Sequence, residues 1–286
     1  MKTVILYHGK CFDGFGGAYA AWKKFGETAE YIPLSRGEEP PVERVRDAEA
    51  YFIDFCYPQE IMDQFRAAAA RLVVLDHHEG VQEVIENMPE HVFDSERSGA
   101  VIAWQYFHPD TPVPTLLTYV QEGDFYRFVL PDARNILSYI YTTEHDFRLW
   151  DELRERLESE TERRKIIEKG ATYTEYFEIL VARLIARGKK ARFEGYECYI
   201  GFGSDFFASD VGNGLAKKLP PIALVINAQT DGGLRVSLRR DKNSDVDLAK
   251  LAQKYGGNGH PYAAAFSLPW GAPIPWTLLN DETSRD

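Results

Sequence analysis

Asp76-His77-His78 follows an apolar run, Leu72-Val73-Val74-Leu75, and offers one carboxylate and two imidazoles at one point of the chain. Adjacent histidines project in different directions, so one can bind a metal while the other faces an anion. Imidazole with carboxylate suits manganese, iron or zinc, whereas an all-oxygen set suits magnesium or calcium. A solvated turn after a strand has the same look, and a three-residue motif alone decides nothing. Its neighbours add weight. His8-Gly9-Lys10-Cys11-Phe12-Asp13-Gly14 places His8 and Asp13 on a loop entering a helix. Gly14, Gly16 and Gly17 permit close backbone approach there, and a helix N-terminus favours a phosphate. Asp13 also reads as a helix N-cap. Asp54 ends Tyr51-Phe52-Ile53, where an unpaired carboxylate would be costly to desolvate. A turn-forming acid is the alternative for Asp54. Gly123-Asp124 is a common turn pair.

A second set of candidates lies near the C-terminus. Tyr255 to Phe266 contains Gly257, Asn258, Gly259 and His260, a glycine-rich loop whose N–H groups suit an anion. His260 is placed to donate to a phosphate oxygen. Ser237-Leu238-Arg239-Arg240 precedes it and supplies guanidinium groups able to hold phosphate through two bonds at once. The plain alternative is a flexible connection before an edge strand, with the arginines exposed.

These residues need elements to position them. Val4 to Tyr7, Tyr51 to Asp54 and Leu72 to Leu75 read as buried strands, and Gly14 to Phe25 and Ile61 to Arg71 as helices. Such alternation predicts βαβ units and a parallel sheet. Ligands of open α/β sheets bind outside the carboxyl ends of the strands, where His8, Asp54 and Asp76 all fall. Asp151 to Lys169, dense in Glu and Arg, reads as a solvent-facing helix, followed by a second helix over Tyr176 to Arg187. Beyond them Tyr196 to Phe202, Pro221 to Ala228 and Leu234 to Arg239 read as strands. Ser209 to Lys218 and Val246 to Tyr255 read as helices. The expected layout is therefore α/β, with a parallel-sheet domain over 1–150, a helical connector over 151–190 and a smaller α/β domain over 191–286.

Composition bounds the function. The chain has 286 residues, 44% hydrophobic, so a folded core is expected. No apolar run reaches bilayer length, and the apolar start is too short for a signal peptide, so a cytoplasmic location and no membrane partner are expected. Three cysteines without disulfide spacing fit a reducing compartment. A net charge of −11 disfavours long duplex nucleic acid, where phosphate neutralisation supplies most of the affinity. Small phosphorylated substrates remain compatible if cations reverse the field in one cleft.

In motif order the chain resembles the DHH/DHHA1 phosphoesterases, which include short-oligonucleotide exonucleases, single-strand DNA exonucleases and cyclic-dinucleotide phosphodiesterases. His8 to Gly14, Asp54, Asp76-His77-His78 and Asp124 look like the first four motifs. Ser237 to Arg239, Asp245 to Ala252 and Gly256 to Phe266 look like the DHHA1 signature. The resemblance implies a metal-dependent hydrolase with an active site in the interdomain cleft and two metals, usually manganese. Asp54 would bridge them, Asp13, His77 and Asp124 would complete one site, and His8 would serve the other. His78, with Asp76, would be catalytic and meet the substrate phosphate. Arg239, Gly257, Asn258, Gly259 and His260 would hold the distal part of a small nucleotide or short single-stranded oligonucleotide. A homodimer is compatible with the resemblance.

Two positions depart from the family pattern. Cys11 stands where the first motif carries a carboxylate, and Ala265 where the signature has glycine. Cys11 has two readings: a thiolate ligand favouring zinc or ferrous iron, or a small buried hydrophobe, the commoner role. Two other functions stay open. One is hydrolysis of pyrophosphate or polyphosphate; the other is a non-catalytic nucleotide sensor with an incomplete metal site. Phe12, Phe15, Tyr126 and Phe128 lie near the motifs and could stack on bases, though such aromatics are more often core.

Overall fold

A computed structural model of the chain describes residues 1–279 apart from Lys10, Arg36 and Asp231. The last residues of the expected C-terminal domain, 280–286, lie outside the described residues. The chain divides into two units, 1–174 and 175–286.

The first unit begins β1 (Thr3–His8), α1 (Phe12–Phe25), β2 (Ala29–Leu34), β3 (Glu49–Ile53), α2 (Gln59–Ala68), β4 (Arg71–Asp76), α3 (Gln82–Glu86) and β5 (Glu90–Phe93). It continues through α4 (Gly99–Phe107), α5 (Thr115–Asp124), α6 (Ala133–Ile140), α7 (Phe147–Glu158) and the start of α8 (Glu160–Ala186). The five strands form one parallel sheet in the order β2-β1-β3-β4-β5. Successive side chains of a strand point to opposite faces, and both faces here are covered. Ile5, Tyr7, Tyr51, Ile53, Val73 and Leu75 join the core under α1, α4 and α5. Val4, Leu6, Ala50, Phe52, Leu72 and Val74 join the core under α2 and α3. That is why these strands read as continuous apolar runs rather than as alternating ones.

Small residues set the spacing on the first face. A Cβ on Gly17 would stand 2.3 Å from Ile53 Cγ2, so α1 lies directly against β3. Strand β2 carries Pro33 and pairs only with β1, an edge position where a missing N–H costs no ladder bond. Polar and half-exposed composition hides both edge strands, β2 and β5, from an apolar-run reading.

The second unit contains β6 (Lys189–Phe193), β7 (Tyr196–Phe202), α9 (Ala208–Lys218), β8 (Ile222–Ala228), β9 (Leu234–Arg240), α10 (Leu248–Gln253), β10 (Asn258–His260), β11 (Ala263–Leu268) and β12 (Trp276–Leu278). They build a mixed sheet in the order β10-β11-β9-β8-β7-β6-β12. β7 and β8 are parallel, and α9 is the crossover between them. Ala223 and Val225 of β8 pack under α9, while Leu224 and Ile226 share the other core with Leu248 and Leu251 of α10.

The helices between residues 147 and 186 differ from expectation. The single helix expected over 151–169 is interrupted at Ser159, whose extended backbone (φ −82°, ψ 120°) ends α7. Helix α8 then runs without a break through the expected gap to Ala186, and the division between the units falls within it. Ser159 accepts a bond from Arg163 N–H and so starts the new helix. No helix among the described residues is long and apolar enough to cross a membrane.

Phe52 is fully buried in β3, edge-on to Phe65 of α2 with ring centroids 4.9 Å apart. Phe52→Ala should destabilise the protein by about 3–5 kcal/mol in urea unfolding; a loss below about 1 kcal/mol would place that core elsewhere.

Candidate metal centre

The carboxyl ends of three neighbouring parallel strands place the first candidates side by side. His8 ends β1, Asp54 follows β3 and Asp76 ends β4. Asp54 N–H still donates to Leu75 O at 2.9 Å, but its φ has turned to +56°. This left-handed conformation costs a non-glycine residue of order 1 kcal/mol, and Asp tolerates it better than most. It turns the Asp54 side chain out of the strand's alternation.

Asp54 belongs to two groups of possible ligands, one with Asp76, His77 and His78 and one with His8 and Cys11, and His77 joins the first to Asp13 and Asp124. In the first, His77 Nε2 lies 3.2 Å from Asp54 Oδ1, and the same nitrogen is 3.7 Å from Asp13 Oδ2 and 3.7 Å from Asp124 Oδ2. In the second, Cys11 Sγ lies 3.1 Å from both His8 Nδ1 and Asp54 Oδ2. The two Asp54 oxygens thus face different groups. Asp13, Asp54 and His77 are almost wholly buried, whereas Asp124 ends α5 at the rim with its side chain 29% exposed.

Local folding explains each placement. Asp13 is not the N-cap of α1; Cys11 is, its sulfur accepting from Gly14 N–H at 3.1 Å. The Asp13 carboxylate instead crosses to the start of α4 and accepts from Gly99 N–H (2.6 Å) and Ala100 N–H (3.0 Å). A helix N-terminus stabilises such a charge. Asp124 is the last residue of a helix rather than part of a Gly-Asp turn. Cys11 is half-buried and polar-partnered, not a core hydrophobe.

The two histidines after β4 differ in role. Asp76 is fully buried. Its Oδ1 accepts from His77 N–H at 2.6 Å and from His78 N–H at 3.0 Å, and it stands 2.7 Å from His78 Nδ1. It therefore shapes the turn and fixes the His78 ring. His78 is one-third exposed and also lies 3.6 Å from Asp54 Oδ1.

The electrostatics favour a cation. Burial, then the neighbouring Asp124 and Asp54 charges, push Asp13 up to about 8. Burial opposes charge on His77, but its bond to Asp54 and the charges of Asp124, Asp54 and Asp13 outweigh this and push it up to about 10. Burial would also raise Asp54, but bonds to His77 and His8 hold it far below the usual carboxylate range. Burial and the Asp54 and Asp13 charges push the Cys11 thiol well up. Asp13, Asp54 and Asp124 are thus near enough to shift one another, and protons on Asp13 and His77 supply the compensating charge. A divalent cation supplies it more fully, and the donor set of carboxylates, imidazoles and sulfur fits one.

Motif reading missed two features of this centre. The first is the N-terminus of α4, signalled by Ser98-Gly99 before the apolar run Ala100 to Ala103. A Cβ on Gly99 would meet Asp54 Cβ at 2.6 Å and Asp13 Oδ2 at 3.0 Å. The second is the segment after Asp124. Phe125 stands edge-on to His77, ring centroids 5.6 Å apart, and the Arg127 guanidinium lies 4.2 Å above the Phe125 ring. Tyr126 and Phe128 hold positive φ there, while buried Glu122 accepts from Val129 and Leu130 N–H. Phe15 is core, packed on Trp150 and Phe147, and Phe12 is half-buried beside Tyr141.

The remaining candidates belong to the second unit. His260 pairs with Ala263, and Ala263 with Arg239, so the three share one row across β10, β11 and β9. Arg239 Nη2 donates to Ser209 Oγ of α9 at 2.9 Å, and the His260 ring stacks on Tyr262. The glycine-rich segment differs from an open anion cradle. Gly257 N–H donates to Ala252 O and Gly259 N–H to Asn258 Oδ1. Gly256, at φ +71°, ends α10 in the way glycine commonly does, and Asn258 to His260 form an edge strand.

No family model matches the chain. It is 28% identical over 301 residues to an uncharacterized protein of Acanthamoeba polyphaga mimivirus, covering 97% of this chain and 70% of that protein. Among solved structures, the DHH domain of a member of the S1p family of ribosomal proteins superposes with a TM-score of 0.64 at 14% identity, covering 92% of this chain and 82% of the other. An exopolyphosphatase-related protein from Bacteroides fragilis gives 0.56 at 14% identity, over 96% and 88% of the two chains. The fold is that of the DHH-domain proteins. RecJ from Thermus thermophilus in complex with Mn2+ gives 0.50 at 13% identity, over 93% of this chain and 49% of RecJ. At these identities the likeness is one of fold.

Two predictions follow from the centre's geometry. Asp13 keeps its proton in the folded chain up to about 8 while the unfolded chain loses it near 3.8, so stability falls as pH rises between them. His77, raised from 6.5 to about 10, contributes stability that is full below 6.5 and lost as pH rises through 10. Both act in one direction. Metal-stripped protein should melt at a lower temperature at about pH 9 than at about pH 6, and added Mn2+ should raise Tm more at the higher pH. A Mn2+ shift that is equal at both pH values would contradict this. Gly99→Ala should weaken Mn2+ binding about tenfold or more by calorimetry, because the Cβ has no room beside Asp13 and Asp54; unchanged affinity would show that this close approach does not govern binding.

Proposed function

We propose that the chain is a metal-dependent phosphohydrolase acting on phosphodiester or phosphomonoester bonds of small nucleotide substrates, such as dinucleotides or short single-stranded oligonucleotides. The observation that carries this reading is the Asp54 carboxylate, with Oδ1 3.2 Å from His77 Nε2, which itself lies 3.7 Å from both Asp13 and Asp124, and with Oδ2 beside Cys11 and His8. A carboxylate shared in this way suits a pair of divalent ions. When bound, such ions lower the pKa of a coordinated water and neutralise charge on the phosphate.

The chain's own residues do the rest. Asp13, His77 and Asp124, together with Asp54, would hold one ion, and Asp54 with His8 would hold part of the second. His78 offers a donor at the half-open edge, and its charge is favoured because the Asp76 bond outweighs burial and pushes the ring up to about 9. We assign His78 to a non-bridging phosphate oxygen and Asp76 to positioning that ring, rather than to the reacting atoms. Arg239 and His260, in one row of the second unit, are assigned to the distal part of the substrate together with Asn258. The proposed cation is Mn2+, in keeping with the RecJ likeness. The proposed domain assignment is a DHH catalytic part followed by a DHHA1 part. The acidic net charge favours a short substrate over long duplex nucleic acid.

The likeness to an exopolyphosphatase-related protein keeps one second reading, hydrolysis of pyrophosphate or polyphosphate. A single assay separates the readings. Wild type with Mn2+ is expected to release mononucleotide from a linear dinucleotide, and Asp54→Ala to fall to the rate without enzyme. Phosphate release from pyrophosphate without dinucleotide cleavage would favour the second reading, and near-wild-type turnover by Asp54→Ala would rule out both.

A further inference from the structure

The half of the centre around Cys11 does not have the composition of the other half. One side offers three carboxylates and one imidazole, a hard, oxygen-rich set. The other offers one sulfur, one imidazole and one carboxylate oxygen from three separate segments: the end of β1, the cap of α1 and the turn after β3. Their ligand atoms form a triangle with edges of 3.1 Å (Cys11 Sγ to His8 Nδ1), 3.1 Å (Cys11 Sγ to Asp54 Oδ2) and 3.4 Å (His8 Nδ1 to Asp54 Oδ2). Tetrahedral coordination with zinc-like bonds of about 2.0–2.3 Å needs ligand edges of about 3.3–3.6 Å. The nitrogen–oxygen edge meets that requirement, and the two sulfur edges, which need the longer values because zinc–sulfur bonds are longer, would open by about half an ångström on coordination. Three protein ligands with the fourth position open is the arrangement of catalytic rather than structural zinc sites.

We infer that His8, Cys11 and Asp54 form a thiolate site selective for a borderline-soft divalent ion, zinc or ferrous iron, so that the chain binds two unlike metals. This rests on the metal-dependent reading above and specifies one half of it. Sulfur is the selective element. Thiolate prefers zinc, iron or cobalt to manganese and magnesium, whereas the Asp13, His77 and Asp124 side has no such preference for soft ions. Burial and the carboxylates keep the thiol protonated in the metal-free chain, so a bound cation must supply the charge that favours thiolate, and one backbone bond at the cap adds to it. Gly14 N–H donates to Cys11 Sγ at 3.1 Å, and the N-terminus of α1, a helix of 14 residues, faces the sulfur. In the metal-free chain the thiol proton lies between Sγ and Asp54 Oδ2. On coordination the S–H bond breaks, the sulfur keeps the electron pair as thiolate, and the proton leaves to solvent. One proton is released per ion bound at this site, with no change of oxidation state.

Cobalt(II) reports the difference because thiolate ligation produces a sulfur-to-cobalt charge-transfer absorption that oxygen and nitrogen ligands do not. Metal-free full-length chain is titrated with Co2+ under anaerobic conditions, alongside Cys11→Ser and Cys11→Asp. Wild type is expected to show the charge-transfer band, saturating at one equivalent, and both variants to lose it. In competition between Zn2+ and Mn2+, followed by metal analysis, Cys11→Asp is expected to lower the preference for zinc by on the order of tenfold or more. Co2+ binding to wild type without the band would overturn this inference and leave the metal-dependent reading standing. No Co2+ binding at all would overturn both. The wild-type spectrum is decisive by itself, so the result does not depend on either variant folding.

Discussion

Everything at the centre depends on one carboxylate serving two neighbours. Asp54 is buried, sits at the end of a central strand and turns each oxygen toward a different ligand group. Its left-handed backbone and the absence of room for a Cβ at Gly99 show that this placement is held against local cost. Buried carboxylates packed together repel one another, and native structures keep such charges only where something compensates them. Backbone N–H groups at α4 answer Asp13, imidazoles and a thiol answer Asp54, and protons supply what is left. An arrangement of this kind is poised to exchange protons for divalent cations.

The DHH fold makes that exchange affordable. Parallel strands bring His8, Asp54 and Asp76 to one edge without any long loop, because adjacent strands end together. Helix α1 begins beside them and presents Cys11 and Asp13 two residues apart, on different sides of Asp54. Helix α4 packs against α1 through glycine and alanine, so its N–H groups reach Asp13. The core therefore sets the spacing of the candidate ligands, and that spacing in turn requires the close packing.

Much of this was legible from residues alone. Apolar runs ending in His8, Asp54 and Asp76 predicted a parallel sheet with polar groups at its carboxyl edge, and the sheet has that form. What was hidden is instructive. Strands β2 and β5 are edges, half-exposed and partly polar, so no apolar run marks them. The break at Ser159 lies inside a charged stretch where helix propensity is high throughout, and one extended residue decides it. Asp13 as a cap and Asp124 in a turn were local readings, and tertiary contacts overrode both. Gly99 could not be recognised as a site residue because its contribution is a missing side chain. A lone cysteine such as Cys11 is more often a core residue, and only its partners 3 and 43 positions away distinguish it from one.

The proposed chemistry requires Asp54 to be shared by two metal positions. A crystal of the protein soaked in Mn2+ and measured at the manganese edge tests it most directly. Two anomalous peaks about 3.5–4 Å apart are expected, each beside a different oxygen of Asp54, with His77 next to one and His8 next to the other. Anomalous density that does not touch Asp54, or a single ion bound without both of its oxygens facing a metal position, would contradict it.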